Sequence, residues 1–557
     1  MRVLSIFVTL LFCMSCASSF QITEVYPDTF LDGDADEYVI INGTGALASL
    51  ELTDGEGTIR FPPGSVSGGS ITIAHAAESF RAVTGSYPDY ELMGGCPMVA
   101  QPLISGRFQL ANKKDELILK QDGQVIQTIN WPGSFKPRSG QIHYLSDGMW
   151  DQRVLMSGAS RFEPATFKSV SGIAFVSPDC SRSVFKEAII SASREILVNI
   201  YEFTDYEFAD LLCQAAARGV KVVVLIEGGP VGGISSEEKG VIARLFSQGI
   251  QVIAMTGTKE NHPPYRYNHA KYLVIDRERL LLTTENFKEH SFPPSGLAGN
   301  RGWGVVLNSP ELAAYFYRIF NADITGKGVS PVYGEKYEFS PYVADSYHTV
   351  FEPVSFTASS VTPVIAPDTC SLIEPFINNA SRRLLITEAY IKHWSEGKPN
   401  PYLQAAINAS RRGVDVRILL DSYYYNTEGP ADNDEMADEI NSIADRENLP
   451  LNARLIDLSG SGLLKLHAKG VIADDAVFIS SINWNENSPV FNREAGLIIE
   501  DATIAGYFSS VFELDWEGGS ATSYGQPAQA DNSMKLVAAA GAIFFVLILY
   551  WARHRHR

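Results

Sequence analysis

Two short stretches carry residues able to do chemistry on a phosphate. His269 and Lys271 stand two apart in "NHAKYLVID", and His467 and Lys469 stand two apart in "LHAKGVIADD". In an extended chain, positions i and i+2 share a face, so each imidazole looks the same way as its ammonium. An imidazole can attack an electrophile or carry a proton, and an ammonium can hold phosphate oxygens. A lone histidine on a strand is more often structural. Here both copies read His-x-Lys-x-x-x-x-Asp, ending at Asp276 and Asp474. Each is then followed by an asparagine, Asn286 at the end of "TTEN" and Asn483 at the end of "SSIN". Repetition at matching places makes coincidence a poor account.

The elements that must position these residues are themselves duplicated. "SPDCSRSVFKEAIISASREILVNIYEF" from 177 and "APDTCSLIEPFINNASRRLLITEAYI" from 366 each read as a turn, an amphipathic helix and an apolar strand. "LLCQAAARGVKVVVLIEGG" and "YLQAAINASRRGVDVRILLDSYY" each read as a helix stopped at Gly219 or Gly413, then a buried strand. Helices alternating with apolar strands predict two α/β lobes with mostly parallel sheets. The expected limits are 166–332 and 366–516, with a linker over 333–365.

This pattern resembles the phospholipase D superfamily, in which two HKD motifs meet at a pseudo-two-fold interface to form one active site. The resemblance spans both lobes and implies that His269 and His467 face each other across a phosphodiester. It implies that one histidine forms a phosphohistidine while the other moves the proton. Lys271, Lys469, Asn286 and Asn483 would hold the nonbridging oxygens, with Thr284 and Ser481 near the phosphate. Asp276 and Asp474 would be structural. No metal and no cofactor is expected, since the ammonium groups supply the positive charge.

One departure from the family pattern stands out. "NREAGLII" supplies Glu494, where the family has a carboxylate that orients a histidine, whereas "NRGWGVVL" has Gly302 at the matching place. The first histidine would then lack its orienting carboxylate unless Glu285 or another acid substitutes. On this reading His467 is the better-supported histidine, and a weakened or decayed site is an alternative. Aromatics in "NHPPYRY" and "DSYYYNTEG" would lie near strand ends, where α/β sites form.

Bulk properties bound the setting. At 557 residues, 45% apolar and 20% charged, the chain is globular and long enough for several cores. A formal charge of −19 argues against general attraction to nucleic acid or anionic membranes. Residues 1–19, with Arg2, an apolar run and then small residues, predict a signal peptide. Residues 534–552, uncharged from 536 and followed by "RHRHR", predict a transmembrane helix after a tether over 517–533. The expected location is the cell membrane, single-pass, with an extracellular ectodomain and a short basic cytoplasmic tail. Four cysteines remain after the leader, and Cys180 and Cys370 fall at matching places, which suggests a bridge.

Residues 20–135 differ in character. Short apolar strands broken by Gly, Asp and Pro, with an Asp122-Gly123 turn, predict an all-β sandwich followed by a linker over 136–165. "ITEVYPD", "DEYVIIN" and "NKKDELILKQDGQVIQTINW" resemble the lamin-tail domain, an immunoglobulin-like fold. A binding or spacer role is its default, the binding partner being an envelope component or a protein. Asp28, Asp32, Asp34 and Asp36 are a calcium candidate or a solvated acidic loop, and Asn42, Asn379 and Asn408 begin sequons. The expected whole is multidomain: β-sandwich, duplicated α/β phospholipase D-like unit and membrane helix. Its substrate would be a phosphodiester, either a phospholipid or a nucleic acid.

Overall fold

A computed structural model of the chain describes residues 20–258, 261–429 and 432–518. The expected leader, most of the tether and the expected membrane helix lie outside the described residues. Among the described residues, no helix is long and apolar enough to cross a membrane.

One sixteen-stranded sheet runs through both lobes. In lobe 1 the order from the outer edge is Gln251–Met255, Lys221–Glu227, Glu195–Ile200, Tyr272–Ile275, Arg279–Thr283, Asn300–Asn308 and Phe167–Ser177, with Val329–Pro331 added at the rim. Lobe 2 mirrors it outward from the centre as Val354–Ala366, Glu494–Glu500, Ala476–Ser480, Gly470–Ala473, Arg383–Glu388, Asp415–Leu420 and Leu451–Leu455. Phe167–Ser177 and Val354–Ala366 pair antiparallel at the centre, so the pseudo-dyad falls between them. The segments expected as linkers therefore include structural strands. Residues 333–365 hold most of a central strand, because its apolar alternation lets it pair on both edges.

Among the described residues, three consecutive strands in each lobe run parallel, and the sixteenth strand, Lys465–Leu466, pairs parallel with Asn300–Asn308 across the dyad. The three consecutive strands of each lobe are the ones joined by crossover helices, Tyr206–Ala217 and Ser236–Phe246 in lobe 1 and Pro401–Arg411 and Asn433–Glu447 in lobe 2. The other long strands pair antiparallel, through hairpins or through long-range pairings, which corrects the expectation of mostly parallel sheets. Asp205 and Asn400 cap the first crossover helices through backbone N–H groups of Phe208 and of Tyr402 and Leu403. Gly219 and Gly413, at φ of +91° and +92°, end them in the left-handed region that glycine enters without strain.

Helices Pro310–Thr325 and Ala502–Trp516 cover one face of the sheet, and their apolar sides join a core that crosses the dyad. Each lobe adds its own core under the crossover helices. Cys180 and Cys370 lie in these two separate cores and are free thiols, so the expected bridge does not form.

The N-terminal module packs a seven-stranded sheet against a five-stranded one. Ile22, Val39, Ile41 and Ile73 from one sheet meet Leu52, Ile59, Leu117 and Leu119 from the other in a shared core. It extends past the expected limit at 135, because Gln141–Ser146 pairs with Gln21–Tyr26. Asn112 Nδ2 donates to Asp28 and Asp34, and among the described residues no cluster of His, Cys, Asp or Glu is able to hold a metal ion.

Candidate active site

The histidine segments lie just ahead of Tyr272–Ile275 and Gly470–Ala473, and each docks on the opposite lobe. His269 N donates to the Arg493 carbonyl at 2.8 Å, and His467 N donates to the Arg301 carbonyl at 2.9 Å. Those arginines are fully buried. Arg301 pairs with Asp179 at 2.7 Å and Asp515 at 2.9 Å, and donates to the Ser177 carbonyl. Arg493 pairs with Asp368 and Asp323, both at 2.9 Å, and donates to the Ala366 carbonyl and Tyr265. Buried guanidinium groups need such partners. Here they fix the backbone on which the other lobe's histidine rests. A second clamp grips the residue before each histidine. Glu227 accepts from Asn268 N at 2.6 Å, and Asp421 accepts from Leu466 N at 2.8 Å.

Asp276 and Asp474 sit at the hairpin turns that follow, both with positive φ. Asp276 accepts from the backbone N–H groups of Ser193, Arg194 and Glu195, and Asp474 from those of Ser381, Arg382 and Arg383. They tie each hairpin to the neighbouring strand, far from the histidines' side chains.

The orienting carboxylates cross the dyad. His269 Nδ1 lies 2.8 Å from Glu494 Oε2, and His467 Nδ1 lies 3.1 Å from Glu285 Oε1. Both histidines, together with Asn286, Asn483, Lys288, Lys465 and Tyr390, line one cavity of about 520 Å3. Lys271 and Lys469 are fully buried behind its wall, each donating to the carbonyl of its own histidine, at 2.6 and 2.7 Å.

Burial sets the electrostatics. It lowers Lys271 to about 7 and Lys469 to about 8, with the Lys469 ammonium further depressing Lys271 and the Lys465 ammonium further depressing Lys469. It lowers His269, with partial compensation from Glu494, and drives His467 well below its ordinary value, helped by Lys469 and Lys465. The two carboxylates diverge. Burial raises Glu285, only partly offset by Lys469, Ser291 and Asn300. Burial would raise Glu494 too, but the His269 contact, Lys271 and Ser481 outweigh it and hold Glu494 below the usual range.

The family described as "Cardiolipin synthase, PLD-like domain" matches residues 185–324 and 373–516, one segment in each lobe and together half of the chain. The chain belongs to this PLD-like family. Among solved structures it is similar to Nuc, a phospholipase D family member from Salmonella typhimurium, at 21% identity over 31% of this chain and 100% of that one, with a TM-score of 0.25. It is also similar to phosphatidylserine synthase from Haemophilus influenzae Rd KW20, at 14% identity over 62% of this chain and 85% of that one, with a TM-score of 0.42. NucT from Helicobacter pylori gives 20% identity over 28% and 96%, with a TM-score of 0.23. No curated protein matches the chain in sequence.

Within this PLD-like site several expectations need correction. Glu494 serves His269 rather than the histidine of its own copy, so the first histidine does not lack a carboxylate. His467 is held by Glu285 instead, and the preference for His467 as the better-supported histidine falls away. Thr284 and Ser481 lie one layer behind the cavity. Both are fully buried, the Thr284 hydroxyl accepting from Trp303 N and the Ser481 hydroxyl donating to Glu494 at 2.5 Å. Asn286 and Asn483 do reach the cavity, and Asn286 donates to Glu202 at 2.9 Å. The sequence reading passed over Arg301 and Arg493, although the shared Asn-Arg dipeptide of "NRGWG" and "NREAG" was their signal. It passed over Glu227 and Asp421 as well, although each directly ends or follows the strand after Arg-Gly-Val.

Proposed function

We propose that this PLD-like protein is a phosphodiesterase that works through a phosphohistidine at its two HKD motifs. The observation that carries this reading is the pair of histidines on one cavity wall, each with Nδ1 on a buried carboxylate and Nε2 left for chemistry. A carboxylate on Nδ1 fixes the tautomer and makes Nε2 more basic. Glu494 stays ionised, so His269 is assigned the attack. Its Nε2 forms a bond to phosphorus as the bond from phosphorus to the leaving oxygen breaks. His467, protonated on Nε2, gives that proton to the leaving oxygen. It then takes a proton from water or an acceptor alcohol, whose oxygen attacks phosphorus and breaks the P–N bond. Burial disfavours cations here, and a phosphodiester anion in the cavity would offset this by restoring charge on His467 and both lysines.

The substrate proposed is a phospholipid, with hydrolysis or phosphatidyl transfer as the outcome. Support comes from the mouth of the site. Tyr425 and Val231, both 72% exposed, line the catalytic cavity. Val343, 88% exposed, lines an adjoining cavity with Leu464, Tyr342 and Tyr423. An apolar and tyrosine rim suits the interface of a bilayer. With it goes the proposed placement: a lamin-tail-like N-terminal module, and an ectodomain over 20–516 tethered by 534–552 to the cell membrane. The test offers the purified full chain, in EDTA, phospholipid vesicles and single-stranded DNA side by side, with His269→Ala as control. Headgroup release lost in the control is expected. DNA cleavage lost in the control would replace the lipid with a nucleic acid, and no turnover of either would sink the reading.

A further inference from the structure

The internal duplication provides a control for one side chain within the same molecule. In lobe 2 the carboxylate beside a histidine comes from Glu494, at the start of a strand. It rests on Ser481, Ser488 and Asn492, whose side chains all donate to it. The matching residues of lobe 1 are Thr284, Ser291 and Asn300. Backbone bonds fix that correspondence, since Thr284 N donates to the Trp303 carbonyl as Ser481 N donates to the Ala495 carbonyl. Position 302 therefore matches 494, and it is glycine. Yet a carboxylate occupies this cradle too. Glu285 lies in it, with Asn300 Nδ2 at 3.2 Å and Oε1 turned to His467 Nδ1 at 3.1 Å. Glu285 matches Ile482, which is fully buried in the apolar core of lobe 2.

The two chain positions compete for one space. A Cβ on Gly302 would fall 2.6 Å from Glu285 Oε1 and 2.8 Å from its Cδ. Gly302 has no left-handed φ to satisfy, so room for Glu285 is what its missing side chain provides. We infer that Glu285 is the positioning residue of His467, having taken over from the loop a task that position 302 can no longer perform. The cradle is retained while the residue that fills it has moved by seventeen places in the chain. The decayed-site alternative loses its motive, since Gly302 and the glutamate of "TTEN" are two halves of one exchange.

The inference rests on the phosphodiesterase reading for its kinetic arm only. With bis(4-nitrophenyl) phosphate as probe and the full chain as enzyme, Glu285→Gln and Glu285→Ile should each lower kcat at least about ten-fold with KM nearly unchanged. The double variant Glu285→Ile/Gly302→Glu rebuilds the lobe 2 arrangement in lobe 1 and should recover to within about three-fold of the parent. Wild-type kcat in Glu285→Gln, or a folded double variant no faster than Glu285→Ile, would overturn it. The second arm needs no turnover. In protein labelled with 15N-histidine, the low-field Nδ1 proton of His467, assigned by its loss in His467→Ala, should vanish in Glu285→Gln and return in the double variant. If that proton persists in Glu285→Gln, the inference fails even where the probe is not hydrolysed. If the parent leaves the probe untouched but the proton behaves as expected, only the phosphodiesterase reading fails.

Discussion

Lobe 1 and lobe 2 hold the same kinds of donor around the same kind of acid, yet the acid arrives by different routes and its affinity for a proton is shifted in opposite directions. Glu494 receives three side-chain donors besides His269 and stays below the ordinary carboxylate range. Glu285 has its donors in Ser291 and Asn300, and burial prevails. A site assembled from two near-copies can therefore give its halves different work without changing either histidine. An ionised partner suits the half that attacks, and a partner whose charge is resisted suits the half that holds and releases a proton.

The strongest way to break this comparison is to remove the histidines one at a time. Each alanine variant should lose activity by about 10⁴-fold or more, since the two act as a unit. The halves separate under an alkaline denaturing quench, which preserves the P–N bond, with a phosphorus-labelled substrate. The covalent adduct should be found on His269 in His467→Ala, and none should form in His269→Ala. An adduct on His467 would reverse the assignment.

A smaller difference is expected one layer out. Glu494→Gln should cost roughly 100-fold in kcat and exceed Glu285→Gln, which should cost roughly 10- to 100-fold. Equal losses would say that the opposite shifts of the two acids have no bearing on the chemistry. The lysines provide a pH test of the shared interior. Their ammonium forms are lost as pH rises through about 7 for Lys271 and about 8 for Lys469, so kcat/KM, already declining as free His467 loses its proton below its ordinary value, should fall more steeply across that window. An alkaline limb near the ordinary lysine value of about 10.4 would show that burial does not act on them as described. The acid limb should lie below about 6.5, because His269 must be neutral to attack and burial lowers it.

What was legible in the sequence was local and repeated. The spacing of histidine, lysine and aspartate survives translation because it lies along one extended segment and one hairpin turn. The paired Arg-Gly-Val stops mark the helix ends by the same logic. What was not legible crosses the dyad. Proximity along the chain sets Glu494 with the second copy and leaves the first histidine without an acid, whereas the strand from each lobe lies under the histidine segment of the other. Arg301 and Arg493 were overlooked for the same reason: their partners Asp515 and Asp323 lie far along the chain on the covering helices. Gly302 read as a loss because nothing in one copy reveals that Glu285 points into the space it leaves. The parallel sheet was overestimated because apolar strands look alike whether a helix or a hairpin brings the chain back.

The smallest effects should come from the pair on which the lobes agree. Asp276 and Asp474 each accept backbone N–H groups from three successive residues, so alanine at either leaves donors unmet where the hairpin joins its neighbour strand. The expected cost is about 1–3 kcal/mol of stability. It should be larger at buried Asp276 than at half-buried Asp474, with kcat for the folded fraction nearly unchanged. Burial would raise both carboxyls, yet the backbone donors outweigh it and hold them low. Their contribution is therefore present above the unfolded value of about 3.9 and lost as pH falls through the lower folded value. Thermal melts of Asp276→Ala and the parent should accordingly converge in acid and separate at neutral pH. If kcat collapsed in either variant while the melt was unmoved, the third residue of the motif would belong to the chemistry, and the division between a conserved frame and divergent acids would have to be redrawn.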